Sequence, residues 1–248
     1  MTDSQPTDSQ SAAASWLSQV EESTERLLTT VAALKPEALA EPSGLPGWTR
    51  GHVLAHLSRN ADSLVNLLTG ARTGTDIPQY ASDEARDQGI EDDAPRPLEV
   101  QLADLRDSHA RFAEAAALMG PEDWAATVRH RFGYVFPAHQ IPAKRLVELE
   151  FHHVDLAADD YTPARWPESF AVAQFGRIAA ALAGNADLPA VSLAAEDTGD
   201  RAVIGTGAPA LTVEGPVRAL TAWLSGRSDG ADLRRTPDTA LPQLPPMG

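Results

Sequence analysis

Two stretches of the chain carry the residue types of a metal site at helical spacing. Residues 46–60 read "PGWTRGHVLAHLSRN", with His52 and His56 four apart. On a helix that spacing sets both imidazoles on one face. Further on, "VELEFHHVDL" repeats the interval with Glu148 and His152, beside an apolar stripe of Val147, Phe151 and Val154. A carboxylate and an imidazole facing a core are costly to bury unless something pairs them, and a divalent metal is one such partner. Alone, a Glu-x-x-x-His reads more readily as a solvated face or an internal Glu–His hydrogen bond. It gains weight as a ligand pair only with a third donor.

The two histidines of the first stretch are not equivalent. His52 is the third residue after Thr49, where a side chain can turn back on the N-cap as in a capping box. His56 lies one turn deeper, with Asn60 beyond it, near the apolar line Val53, Leu57 and Leu64. It is the better candidate to point inward. With Glu148 and His152 it would give two nitrogens, one carboxylate and open positions, the pattern of catalytic rather than structural zinc. His109 falls on an apolar helical stripe and reads as a packed, hydrogen-bonded core residue. His153 is rotated about 100° from His152 and faces elsewhere. His130 and His139 can line a pocket, but nothing in the sequence selects them, and the tryptophans read as packing, Trp48 as a staple before its helix.

The elements that must position these groups are helical. Trp16, Val20, Leu27, Val31 and Leu34 mark an amphipathic helix over 12–34, broken by "KPEALAEPSGLPG". A second helix starts at the Thr49 cap and runs to Gly70. Residues 71–95 are too long for a plain connector, which suggests a functional loop, with a short helix around Ser82 to Gly89. A third helix from near Pro97 carries Leu98, Leu102, Leu105, His109, Phe112, Ala116 and Met119. After "GPEDW" and a strand- or loop-like "TVRHRFGYVF", a fourth runs from Pro142 to Ala158. Four such helices predict a four-helix bundle over 12–160. Beyond Tyr161, a helix in "PESFAVAQFGRIAAALA", β-like runs "AVSLAAED", "RAVIGT" and "ALTVEG", and a helix in "PVRALTAWLSGR" predict a small α+β domain over 161–237. Residues 1–11 are expected to form a disordered polar tail and 238–248 a loose Pro-rich one. The fold class is therefore mainly α.

Composition narrows the function. A chain of 248 residues without an apolar run long enough to span a bilayer, and with no secretory start, is expected to be soluble and cytoplasmic. A formal charge of −15 argues against nucleic acid, and any anionic substrate must be drawn in by a local cation. Lys35 and Lys144 are the only lysines, so most cations are arginines. There is no cysteine, which excludes disulfides, a zinc–thiolate site and a protein thiol nucleophile. Sulfur chemistry here requires an external thiol.

"GLPGWTRGHVLAHLSRNA", "YASDEARDQGIE", "FPAHQIPAKRLVELEFHHVDL" and "GPVRALTAWLSGRSDGA", in that order across roughly residues 15–230, resemble the mycothiol-dependent maleylpyruvate isomerases. The "GWT…AHL" and "E…HHVDL" elements are shared by many DinB-like proteins; "YASDEARDQ" is the more discriminating one. The resemblance implies a DinB-like metal-binding four-helix bundle and one zinc per chain on His56, Glu148 and His152. It places the family's essential arginine on Arg86, and leaves His52 at the helix start.

The activity it implies is cis–trans isomerisation of maleylpyruvate to fumarylpyruvate, as in gentisate-type aromatic degradation, by reversible addition of the mycothiol thiolate to the alkene. Zinc with two neutral imidazoles and one carboxylate keeps a net positive charge that favours thiolate. Arg86 would grip a substrate carboxylate bidentately and stabilise developing enolate charge; without the resemblance it reads as a solvated residue paired with Asp83 or Glu84. The expected partners are mycothiol and one small anionic substrate, with no nucleic acid, no membrane and a monomeric chain. Two other readings use the same triad: a mycothiol S-transferase conjugating electrophiles, which needs no arginine in this loop, and a non-enzymatic metal-binding bundle. A zinc hydrolase is weaker for want of a placed general base.

Overall fold

A computed structural model describes residues 8–246. Its helices begin where local chemistry favours a first turn. Helix α1 (Asp8–Ala33) opens on an acidic residue, and α2 (Arg50–Thr73) is capped by Thr49, whose hydroxyl accepts from the His52 amide while the His52 ring accepts from the Thr49 amide. Gly74 closes α2 in the left-handed conformation, φ 65°, which glycine adopts without steric cost. Helix α3 (Asp83–Asp93) is capped by the Ser82 hydroxyl, α4 (Leu98–Ala117) follows Pro97, and α5 (Pro121–Ala125) is a single turn. Strands β1 (Thr127–Arg129) and β2 (Val135–Pro137) pair as an antiparallel hairpin ahead of α6 (Ile141–Asp155). A 3-10 turn over Pro36–Ala40 separates α1 from α2, and another over Ala138–Gln140 leads into α6.

Helices α1, α2, α4 and α6 form the four-helix bundle, with α1 against α6 and α4, and α2 against α4 and α6. Its core is drawn from all four, including Val20, Leu27, Val53, Leu54, Leu57, Leu64, Leu105, Phe112, Leu146 and Leu149. Helix α3 lies across α2. A side chain at Gly51 would meet the Ala94 carbonyl oxygen at 2.2 Å, so only glycine permits this approach. Arg59 on α2 then ties α3 and α4 down through Asp93 at 3.3 Å and Asp104 at 2.7 Å. That clamp places the α3 side chains over the first turns of α2.

A second compact unit starts at Tyr161. Helix α7 (Glu168–Leu182) packs against α8 (Val217–Leu224), beside a sheet of β3 (Pro189–Ala195), β4 (Arg201–Ile204), β5 (Thr206–Gly215) and β6 (Arg234–Thr236) in the order β4–β3–β5–β6. The β3–β5 pair is parallel and both outer pairs antiparallel. The molecule is thus a mainly α four-helix bundle followed by a small α+β unit.

Several local expectations shift. The N-terminal tail expected over 1–11 falls on 1–7, outside the described residues, and on Asp8–Ser11, which are helical. Residues 237–246 have no regular structure, and 247–248 lie outside the described residues. Helix α3 is a turn longer than expected, and β6 was not anticipated. Among the described residues no helix is long and apolar enough to cross a membrane.

Candidate metal centre

His56 projects from the second turn of α2 and is buried, while Glu148 and His152 project from successive turns of α6. His56 Nε2 lies 2.8 Å from Glu148 Oε2, and His152 Nε2 lies 3.3 Å from the same oxygen. The two imidazoles meet edge to face, centroids 4.7 Å apart. One donor atom from each residue falls within 4.8 Å of the others. Two nitrogens and a carboxylate oxygen converging from two helices suit a divalent cation of zinc type.

The surrounding groups prepare that donor set. Asp155, one turn beyond His152, accepts from its Nδ1 at 2.8 Å, which fixes the ring with Nε2 as the atom turned toward Glu148. Burial would lower the His152 pKa, but the hydrogen bonds with Asp155 and Glu148 outweigh it and the net direction is upward. Burial likewise opposes the Glu148 charge, yet hydrogen bonds from His152 and His56 hold the carboxyl well below its ordinary value. For His56 burial dominates and brings the ring down to about 4, so it is neutral at physiological pH. An anionic carboxylate and a neutral imidazole are the forms a metal requires.

Arg86, on the first turn of α3, reaches this centre. Its Nη2 donates to His56 Nδ1 at 3.3 Å and its Nη1 pairs with Asp87 at 2.6 Å, rather than with Asp83 or Glu84. His52 takes no part: its Nδ1 serves the Thr49 cap and its Nε2 faces Glu91 at 3.3 Å. His109 hydrogen-bonds Thr24 and Glu21 on α1, and His153 is buried against Thr30. His130 sits at the turn of the β1–β2 hairpin, and His139 in the 3-10 turn before α6.

Two neighbours, Arg145 and Tyr80, had no role assigned from sequence, and Trp48 was read there only as packing. Arg145, one turn before Glu148, is fully buried and crosses to α2, donating from Nη1 to the Leu57 carbonyl at 2.8 Å and to Asn60 Oδ1 at 2.9 Å. Burial lowers its pKa to about 10, still charged at neutral pH. Tyr80, just before α3, lies beside Ser63 and Arg86 and feels Glu148; burial raises its pKa and keeps the phenol protonated. Trp48 covers His56 with ring centroids 5.5 Å apart. The i+3 spacing from His152 to Asp155 was visible in the sequence as a signal for a helical partner. No comparable signal marks Arg145 or Tyr80.

Residues 20–157 match the family model described as the mycothiol maleylpyruvate isomerase N-terminal domain. Among solved structures, the crystal structure of a mycothiol-dependent maleylpyruvate isomerase superposes with a TM-score of 0.88, at 24% identity, over 95% of this chain and 97% of that one. A histidine-to-alanine mutant of a mycothiol-dependent maleylpyruvate isomerase superposes at 0.87, with the same identity and coverage. At that identity the likeness is one of fold. No curated protein sequence matches this chain.

Proposed function

The chain belongs to the mycothiol maleylpyruvate isomerase N-terminal domain family, and from that premise we propose that it converts maleylpyruvate to fumarylpyruvate, using mycothiol and one zinc ion per chain. The observation that carries the reading is the convergence of His56, Glu148 and His152, with Arg86 in contact with His56, in a chain that has no cysteine of its own.

His56, Glu148 and His152 are the residues that would hold the metal. Bound there, metal and mycothiol supply a sulfur nucleophile kept as thiolate, able to add to a conjugated double bond and leave it again. The chain's own residues do the rest. Asp155 fixes the tautomer and direction of the His152 ring. Arg145 straps α6 to α2 at the level of both ligands and so sets the spacing between His56 and Glu148. Arg86 supplies a planar cation at the rim, matched to a carboxylate and placed to take up negative charge that develops on the substrate as its double bond is lost. The Tyr80 phenol, protonated and beside Arg86, adds a second donor for the same anion. Arg86 answers the need for a local positive site on a chain of net charge −15, with Tyr80 a neutral donor beside it.

The test is a spectrophotometric assay of maleylpyruvate with metal-loaded protein freed of small thiols. Turnover is expected only when mycothiol is added, with the thiol regenerated each cycle. Full activity without thiol overturns the reading, and stoichiometric loss of mycothiol into an adduct identifies an S-transferase instead.

A further inference from the structure

The β1–β2 hairpin displays apolar surface where a folded chain ordinarily hides it. Among the described residues six large hydrophobic side chains are exposed, and Phe132, Tyr134 and Val135 are three of them, at 63%, 48% and 60% exposure. They belong to an ordered cluster. The His130 ring stacks on Tyr134, centroids 4.5 Å apart and 15° from parallel, with Phe132 at 5.1 Å from His130 and Phe136 at 5.9 Å from Tyr134. Lys144 donates to the Tyr134 hydroxyl at 3.0 Å and lies 4.4 Å from the Phe136 centroid, and the Arg131 guanidinium covers Phe132 at 4.0 Å. Rings with this many fixed neighbours present preformed faces.

The cluster sits on the rim of the metal centre. Lys144 precedes Glu148 by four residues on α6 and therefore shares its face. His130 lies within electrostatic reach of Glu148. The hairpin turn is anchored to the segment that brings in Tyr80 and Arg86: the Arg131 amide donates to Gln79 Oε1 at 2.8 Å, and its guanidinium pairs with Asp83 at 2.6 Å.

We propose that the rim formed by His130, Phe132, Tyr134 and Lys144 is the subsite for the sugar portion of the thiol cofactor. The inference rests on the thiol-dependent reading above and assigns residues to it. Mycothiol carries its cysteine on an amino-sugar joined to inositol, so a sulfur at the metal centre leaves two polyhydroxylated rings to be held outside it. Ring C–H bonds pack on the electron-rich faces of aromatic side chains, and ring hydroxyls accept from a nearby ammonium group. An anionic occupant fits less well. Arg131 is already paired with Asp83, and the exposed area of the rim is aromatic, with Lys144 the one ammonium beside it, whereas Arg86 offers a planar fork for a carboxylate. The patch also borders a centre that substrate must enter, which disfavours a protein lid over it.

The experiment uses metal-loaded full-length protein carrying Phe132→Ala, Tyr134→Ala, both together, or Tyr134→Phe. Turnover is measured against mycothiol and, separately, against maleylpyruvate. Binding of the cysteine-free amino-sugar–inositol is followed by its competition with mycothiol. The double variant is expected to raise the KM for mycothiol about tenfold or more, the order expected for lost stacking contacts. The KM for maleylpyruvate and kcat at saturating thiol should hold within about twofold. Tyr134→Phe, which keeps the ring, should stay near the parent, and the sugar fragment should compete in the parent and not in the double variant. An unchanged mycothiol KM in the double variant overturns the subsite while leaving thiol dependence intact. A fall in kcat with both KM values unmoved also overturns it, in favour of a structural role. A parent needing no thiol defeats the underlying reading, and the subsite with it, before any variant is made.

Discussion

The Arg86 guanidinium stands 3.3 Å from Nδ1 of His56, a nitrogen that a metal bound at Nε2 requires to be protonated. A guanidinium only donates, so this contact needs a lone pair on Nδ1 and places the ring proton on Nε2, toward Glu148. A metal held through Nε2 would need that proton on Nδ1, which is incompatible with the contact. Loading the centre would therefore free one edge of Arg86 for substrate.

Arg86→Lys should accordingly retain its metal and fold and still lose most activity. Lysine keeps the charge but not the planar fork. Loss of a bidentate contact is expected to cost on the order of tenfold to a thousandfold in rate. Metal content by elemental analysis and turnover on maleylpyruvate check this together. Near-normal turnover reduces Arg86 to a partner of Asp87 and favours an S-transferase.

His56→Ala and His52→Ala should separate ligand from cap. The first removes a donor from the centre and should abolish stoichiometric zinc. The second removes the ring that accepts from the Thr49 amide, and should keep zinc while costing about 1 kcal/mol in stability. Metal analysis with denaturant melts on both variants decides it; the reverse pattern of zinc loss rejects the ligand assignment.

The contrast between these histidines shows how much of the centre was legible. A capping box is local, four residues long, so Thr49 and His52 could be read directly. Glu148 and His152 share a face by spacing alone, and helix position made His56 the candidate third donor, but their meeting depends on how two helices pack, and it was the family resemblance that made the trio the choice. Local pattern misled where tertiary contacts decide. Leu98 and Leu102 were read on the α4 core stripe, yet they are half-buried, while Gln101 and Ser108 are buried instead. The Gln101 amide belongs there because it donates to the Ala94 carbonyl at the α3–α4 corner, at 2.9 Å. Strand β6, read as "RRT", carries no β signature; its place follows from antiparallel pairing with β5 and the Arg234–Glu214 ion pair at 2.8 Å. Arg145 was invisible because a buried arginine and an exposed one look alike in sequence.

Arg145→Met should loosen the centre without removing a ligand. The change leaves Asn60 Oδ1 without its buried donor, at a cost of about 1–3 kcal/mol, and removes the added bond to the Leu57 carbonyl, which lies within α2. It also removes the strap between the helices that carry His56 and Glu148. Thermal melts should show the destabilisation, and competition with a zinc chelator should show weakened metal affinity. Unaltered affinity in a destabilised variant limits Arg145 to a role in the core.

Acid should destabilise the bundle through His153. The ring is buried between α6 and α1, its Nε2 2.9 Å from the Thr30 hydroxyl, which itself donates to Asp160. Burial lowers its pKa to about 3, from 6.5 when unconstrained. Below 6.5 the unfolded chain therefore binds a proton that the native state refuses. The stability from neutral His153 is complete above 6.5 and is lost progressively as pH falls toward 3. The limiting slope is about 1.4 kcal/mol per pH unit, so about 2 kcal/mol is expected to go between neutrality and pH ~5. His153→Gln keeps an N–H donor and cannot titrate. Denaturant melts of metal-free parent and variant should diverge by that amount as pH falls. The lowered His56 and His130, and the relief of net negative charge in acid, are common to both chains and cancel in the difference. Parallel pH profiles would show that His153 is protonated as readily in the folded chain as in the unfolded one.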